Sequence, residues 1–157
     1  MNALVVYYSR TGTTIKAAEK LVSLLKCASE EICDTKNRKG IIGWLSAGKT
    51  ATRKELTKLE NVQNDPASFD MVVVGTPVWN HTMSTAIRTY LTQYKDSFRK
   101  VAFFCTHQYT DDDPFEEMAS LCGRTPVATL TLLRKKEVEV DQFIAKAKEF
   151  VARLASA

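Results

Sequence analysis

The sequence contains no C-x-x-C pair, no apolar run of membrane-spanning length and no repeated or low-complexity tract. Its four cysteines are scattered, which argues against a zinc site and against a disulfide scaffold, so we expect buried, reduced thiols. Met1 and Asn2 lead into an apolar segment without the basic region and cleavable apolar stretch of a secretory signal. We therefore expect a cytoplasmic protein with no transmembrane segment.

The length and charge of the chain narrow its class further. With 157 residues and 45% hydrophobic content, we expect a single domain over residues 1–157 with a sizeable core and an insertion at about 36–60. The net charge of +4 belongs to one segment, and it is not the broad basic footprint of a nucleic-acid-binding protein. Segment 36–58 contains one acidic residue, Glu55. Its basic residues are Lys36, Arg38, Lys39, Lys49, Arg53, Lys54 and Lys58.

The stretch at residues 4–14, LVVYYSRTGTT, organises the rest of the chain. Its apolar half predicts a buried strand, and its polar half predicts a turn that opens a helix. Helix N-termini carry unpaired N–H groups and a partial positive charge, so the turn is suited to a phosphate, although its hydroxyls could equally be ordinary helix caps. The turn and the first helical residues are Ser9, Arg10, Thr11, Gly12, Thr13 and Thr14.

Apolar periodicity divides the chain into alternating strands and amphipathic helices. Residues 70–76 form a nearly continuous apolar run, as a central parallel strand requires. The alternation is typical of a doubly wound α/β fold, so we predict a five-stranded parallel sheet in the order 2-1-3-4-5. Ligands of such sheets bind at the carboxyl ends of the strands where the winding reverses, here between strands one and three. The later strands are predicted at residues 30–33, 70–76, 101–105 and 126–133, and the helices at about 15–28, after Ser84, after Asp113 and at 143–154.

Segment 43–50, GWLSAGKT, matches the phosphate loop of nucleotide triphosphatases, G-x-x-x-x-G-K-S/T. That loop needs a buried strand directly before it, and only Gly40, Ile41 and Ile42 stand there. A nucleotide-binding protein is therefore a low-ranked alternative. The segment is better interpreted as a lid that packs on its own domain, with a partner-docking or membrane-surface role as the other options.

Two further loops are predicted at the same edge of the sheet. In the loop after residues 70–76, an indole is oddly placed for a core residue, so Trp79 is a candidate to stack on a flat heterocycle, or else it folds over its own helix. His81 and His107 could bind a ligand or donate a proton, although loop histidines without such a role are more common. The two loops contain Pro77, Val78, Trp79, Asn80, His81 and Thr82, and then Thr106, His107, Gln108 and Tyr109.

Residues 5–14 resemble the flavodoxin signature, in which an aliphatic pair and an aromatic residue precede S/T-x-x-G-x-T. The run GTPVWNHTMSTAIRTYL resembles the loop and helix that hold the flavin ring in that family. The resemblance implies a non-covalent FMN site and no metal site. Ser9, Thr11, Gly12, Thr13 and Thr14 would bind the phosphate with help from Arg10, and Pro77, Val78, Trp79 and Asn80 would frame the ring. The third loop would follow the other flavin edge, where the family often has glycines and this chain has bulky polar residues.

Several functions fit such a site. The resemblance implies an FMN-binding redox protein, and we favour an electron carrier that serves a redox partner protein or a small-molecule acceptor. The alternative is a reductase that uses NAD(P)H to reduce a quinone or flavin-type acceptor, and a flavin-free interaction module ranks lower. Flavodoxins are generally acidic, so the isoelectric point of about 8.9 counts against an ordinary member. A phospho-receiver domain is excluded because Tyr8 and Thr76 stand where it needs acidic residues.

Overall fold

The computed structural model describes residues 1–35, 49, 51–108 and 113–156. Five parallel strands form a sheet in the order β2-β1-β3-β5-β6, and the short strand β4 pairs antiparallel with β3. Apart from β4, this is the predicted order. The strands are β1 (Ala3–Tyr7), β2 (Ala28–Glu31), β3 (Met71–Trp79), β4 (Thr82–Met83), β5 (Val101–His107) and β6 (Thr129–Leu133). The helices are α1 (Thr13–Leu25), α2 (Thr85–Tyr94), α3 (Phe115–Cys122) and α4 (Ile144–Ala155), with single-turn elements at Pro66–Ser68, Lys95–Ser97 and Arg134–Val138.

Helices cover both faces of the sheet, which gives the protein two apolar layers. Leu21 of α1 and Phe150 of α4 are buried on one face, and Ile87 of α2 and Met118 of α3 are buried on the other. Because the central strands are covered on both sides, their sequences are continuous apolar runs rather than alternating ones. This arrangement confirms the doubly wound fold and leaves the carboxyl edge of the sheet for the loops.

Gly75 lies in the middle of β3, where the ring of Phe104 packs against its backbone. It pairs with Phe104 of β5, and a Cβ atom on Gly75 would come 2.0 Å from the Phe104 ring. A side chain at this position would therefore collide with the ring. The carbonyl of Gly75 also accepts a hydrogen bond from the Tyr8 amide at 3.2 Å, so this residue lies directly below the point where β1 and β3 diverge.

The starts of α2 and α3 lie close to their predicted positions, after Ser84 and near Asp113. Ser84 caps α2 by accepting a hydrogen bond from the amide of Ile87 at 3.4 Å. Gly123 ends α3 in a left-handed conformation with φ 62°. Asp113 accepts from the Phe115 amide at 3.1 Å, but the N-cap position of α3 belongs to Pro114, one residue later than predicted.

The thiol prediction is only partly right. All four cysteines are free, and Cys105 and Cys122 are buried. Cys33 is exposed and Cys27 is half-buried, so the expectation of four buried thiols is wrong for these two. The physical reason is their position, since both flank β2, which is an edge strand of the sheet.

The predicted insertion falls mainly outside the described residues, which include Lys49 and then resume at Ala51. Trp44 and all of the triphosphatase-like pattern at 43–50 except Lys49 therefore lie outside the described residues. The described part of this segment packs on the body of the protein from Ala51, which is buried, and Leu59 forms a bridge with Asp34 beyond β2. Among the described residues, no helix combines the length and apolar character needed to cross a membrane.

Candidate functional site

The first loop of the site connects β1 to α1 at the carboxyl edge of the sheet. Its turn is closed by the Ser9 hydroxyl, which accepts a hydrogen bond from the Gly12 amide at 3.1 Å. Gly12 has φ 89°, a left-handed backbone that glycine adopts without steric cost. The turn is therefore closed by a hydrogen bond between residues that lie only three positions apart in the sequence.

The N-terminus of α1 is open. No described side chain caps it, and its first turn contains no acidic residue. No described atom beyond the chain neighbours of Gly12 would lie within 4 Å of a Cβ atom placed on that glycine, so there is free space beside the turn. Among the described residues, no side chain pairs with the first amides of α1, so these amides and the positive end of the helix dipole are suited to an anion.

Arg10 and Thr14 have different surroundings in this loop. The Nε atom of Arg10 is buried and has no hydrogen-bond partner among the described residues, so the guanidinium can still donate to a ligand. The Thr14 side chain is 1% exposed, and its hydroxyl lies 2.8 Å from that of Thr106 at the end of β5. Thr14 thus connects the first loop to a neighbouring strand.

The second loop is a tight β-hairpin, which sequence reasoning interpreted as an irregular loop. β3 continues through Trp79, and β4 pairs Trp79 with Thr82. The two turn residues, Asn80 and His81, have φ 48° and 63°. Positive φ at both positions is typical of a two-residue hairpin turn. The left-handed backbone of Asn80 thus belongs to this turn, whereas Pro77, Val78 and Trp79, which were predicted in a loop, belong to a strand.

Trp79 connects the hairpin to the first loop. Its ring is perpendicular to that of Tyr8, and the ring centroids are 5.5 Å apart. The indole is half-buried and packs at the margin of the apolar layer that contains α2 and α3. The edge-to-face contact brings the first two predicted loops together at the point where the winding of the sheet reverses.

An ion pair that the sequence analysis missed lies behind the hairpin. Arg88 of α2, which is 3% exposed, donates two hydrogen bonds to Glu117 of α3, at 3.2 and 2.9 Å, and a third to the Thr82 hydroxyl at 2.8 Å. Burial alone would raise the pKa of Glu117, but hydrogen bonds from Arg88, Lys54 and Thr82 outweigh it and lower the pKa to about 2. The signal in the sequence that could have indicated this ion pair is Arg88 itself, a charged residue among the apolar residues of a helix.

The third predicted loop begins later than expected. β5 continues through His107, so Thr106 and His107 are buried strand residues, and the placement of His107 in an exposed loop is wrong. The pairing of β5 with both β3 and β6 extends the strand by two residues. Gln108 is exposed at its end, and Tyr109 lies outside the described residues. The neighbouring Cys105 is inert, since burial raises the pKa of its thiol to about 12.

Comparison with known proteins agrees with this geometry. The family model described as Flavodoxin matches residues 2–113. No curated protein matches the chain in sequence. A flavoprotein from Lactobacillus acidophilus NCFM, crystallised in complex with FMN, is similar in structure, with a TM-score of 0.73 and 23% identity over 88% of this chain and 97% of that one. The two-electron reduced flavodoxin of Megasphaera elsdenii has a TM-score of 0.58 and 15% identity over 93% of this chain and 98% of that one.

Proposed function

This chain belongs to the flavodoxin family, and on that premise we propose that it binds FMN non-covalently and works as an electron carrier. The observation that carries the proposal is the open N-terminus of α1 beside the Tyr8–Trp79 contact, at the reversal point of the sheet. An anion site and an aromatic surface are the two features that a phosphorylated flavin requires.

The first loop supports binding of the FMN phosphate. The uncapped amides of α1 would donate to the phosphate, with Ser9, Thr11 and Thr13 supplying hydroxyls and Gly12 allowing close approach. Arg10 would add a positive charge, and its buried Nε, which has no hydrogen-bond partner among the described residues, would be available as a donor. Thr14 would contribute mainly its amide, since its hydroxyl already lies 2.8 Å from that of Thr106.

The hairpin supports binding of the flavin ring. Trp79 offers a half-buried indole, and Asn80 and His81 form a tight turn with positive φ directly after it. Bound FMN would supply the electron transfer, while the protein would set its affinity and potential through stacking, hydrogen bonds and charge. Val78 and Pro77 would line the approach to the ring, and Gln108 would lie at the end of β5.

A carrier role agrees with the chemistry of the described residues. The thiol of Cys105 is buried in the apolar core with a raised pKa, and the carboxylate of Glu117, whose pKa is lowered, is held in an ion pair. These groups are poorly suited to attack a substrate or transfer a proton, so the cofactor would carry the chemistry. We place the protein in the cytoplasm because its four free thiols suit a reducing compartment.

The test is an absorption spectrum of the protein after incubation with FMN and desalting, followed by anaerobic titration with dithionite and then NADPH. We expect retained flavin bands, reduction by dithionite and no rapid reduction by NADPH alone. Riboflavin, which lacks the phosphate, is the control ligand and should bind more weakly. Rapid bleaching by NADPH would instead identify a reductase, and a colourless protein would overturn the FMN proposal.

A further inference from the structure

Three residues form a polar cluster between the hairpin and the two helices behind it, and we name Thr82, Arg88 and Glu117 the hairpin cluster. The guanidinium of Arg88 contacts both carboxylate oxygens of Glu117 and the Thr82 hydroxyl. The Thr82 hydroxyl in turn donates to Glu117 at 2.5 Å, which closes the triangle. The charged groups come from α2 and α3, while the hydroxyl comes from β4.

Stability alone does not explain the hairpin cluster, because burying its charged groups costs free energy. Removing a guanidinium from water costs several kcal/mol as an order of magnitude, and a pair of charges often stabilises a fold no more than apolar residues of the same size. Its geometric effect is more specific. A bidentate guanidinium–carboxylate contact fixes both groups in one plane, and it therefore fixes the position of the hydroxyl that they share.

The hairpin transmits that position to the proposed flavin site. Thr82 lies directly opposite Trp79 in the β3–β4 pair, so the backbone that holds the indole is paired with the backbone that holds the hydroxyl. The described part of the predicted insertion also contacts the hairpin: the side-chain amide of Asn80 donates to the Thr52 hydroxyl at 3.2 Å, and the Lys54 ammonium lies 2.7 Å from the Glu117 carboxylate. The hairpin is thus held both by the hairpin cluster and by contacts with Thr52 and Lys54.

We propose that Arg88 and Glu117 are positioning residues, which act through Thr82 to hold Trp79 and Asn80 in place at the flavin site and so set the affinity and potential of the flavin. This inference rests on the proposed FMN function. It assigns to Thr82 a structural connection with the ion pair, in place of a direct contact with the cofactor. Lys54 extends the same network to the described part of the predicted insertion.

The experiment uses Thr82→Val, which keeps the branched shape and removes the hydroxyl, together with Glu117→Gln and Arg88→Lys. Trp44 and Trp79 are the tryptophans of the chain, so a Trp44→Phe background makes Trp79 the sole indole reporter. We expect stronger acrylamide quenching of Trp79 in the apoprotein, FMN binding weaker by about threefold to tenfold, and a changed midpoint potential in Thr82→Val and Glu117→Gln. Arg88→Lys keeps the positive charge but cannot bind bidentately, so it should show the same changes to a smaller extent.

Asp70→Asn is the matched control, because it breaks the exposed Arg99–Asp70 pair and lies at the start of β3, away from the hairpin. It should leave quenching, affinity and potential unchanged. Variants that lower only the melting temperature, with wild-type quenching, affinity and potential, would show a structural cluster and overturn the inference. If the wild-type protein takes no FMN, the proposed function fails by itself, and unchanged Trp79 quenching in Thr82→Val would separately overturn the positioning role.

Discussion

The two loops at the site differ in how the chain holds them. The turn before α1 is closed by a hydrogen bond between Ser9 and Gly12, within a few residues of sequence. The hairpin after β3 is held by Thr52, Arg88 and Glu117, of which Thr52 and Glu117 lie far from it in sequence. In the first loop the Gly12 amide is bonded, but the amides that begin α1 have no side-chain partner among the described residues, whereas Asn80 and Thr82 of the hairpin bond their side chains to the protein. A loop that must grip a phosphate needs free donors, and a loop that must place a flat ring needs fixed geometry.

The strongest way to break the hairpin side of this comparison is Glu117→Ala. It would leave the buried charge of Arg88 without its carboxylate, and the partial exposure of Glu117 reduces the cost expected for a fully buried pair. We expect the free energy of unfolding to fall by about 2–3 kcal/mol. Denaturant titration measures this change. Asp70→Ala removes an exposed ion pair and should lower the free energy of unfolding by less than about 1 kcal/mol. Equal losses in the two variants would contradict the assignment of Glu117 as the partner of a buried charge.

On the first-loop side, Gly12→Ala and Gly123→Ala form a matched pair. Both glycines are left-handed, and neither has a described atom within 4 Å of an added Cβ beyond its chain neighbours, so both substitutions should destabilise the fold by about 1 kcal/mol. Only Gly12→Ala should weaken FMN binding, by about tenfold, because only that residue lies in the proposed phosphate loop. Fluorescence titration with FMN measures the difference. Equal affinities in the two variants would contradict the phosphate site.

Acid titration tests the ion pair behind the hairpin through the pKa of Glu117. The pKa of Glu117 is lowered from its usual 4.5 to about 2, so the folded state favours the ionised carboxylate. Its stabilising contribution is present above about pH 4.5 and is lost progressively as the pH falls toward 2. Stability should therefore decline more gently with acid in Glu117→Gln than in the wild type. Parallel curves from urea unfolding between pH 5 and 2.5 would contradict the lowered pKa.

The smallest expected effect concerns the connection between the first loop and β5. Thr14→Val removes one hydroxyl of the buried Thr14–Thr106 pair, which should cost about 1 kcal/mol of stability. The double variant with Thr106→Val should cost less than the sum of the two single variants, because the hydroxyls are bonded to each other. A thermal-unfolding cycle tests this. Additive losses would show that the two hydroxyls act independently.

The same difference between the loops explains what the sequence could predict. The first loop, the strand order and the cap at Ser84 depend on local patterns, such as a glycine before a helix or an apolar run between polar turns. These were predicted correctly as structure. The cofactor roles of the individual loop residues stay predictions.

The hairpin could not be predicted in the same way. Continuation of β3 through Trp79 depends on pairing with β4, and continuation of β5 through His107 depends on its neighbours in the sheet. Nothing near Arg88 indicates that its partner is Glu117, 29 residues later in the chain. Contacts between remote residues have no local sequence pattern, so tertiary pairing decided these features.

The close approach of Gly75 to the Phe104 ring has a consequence for how this family can vary. An added Cβ at position 75 would come 2.0 Å from that ring, so a larger residue there requires a smaller one at 104. Related sequences should therefore exchange these two positions together, with a side chain at 75 accompanied by loss of the aromatic ring at 104. The pair lies in the central strands directly beneath the divergence of β1 and β3, so the correlated exchange would mark lineages whose sheet is packed differently under the same loops.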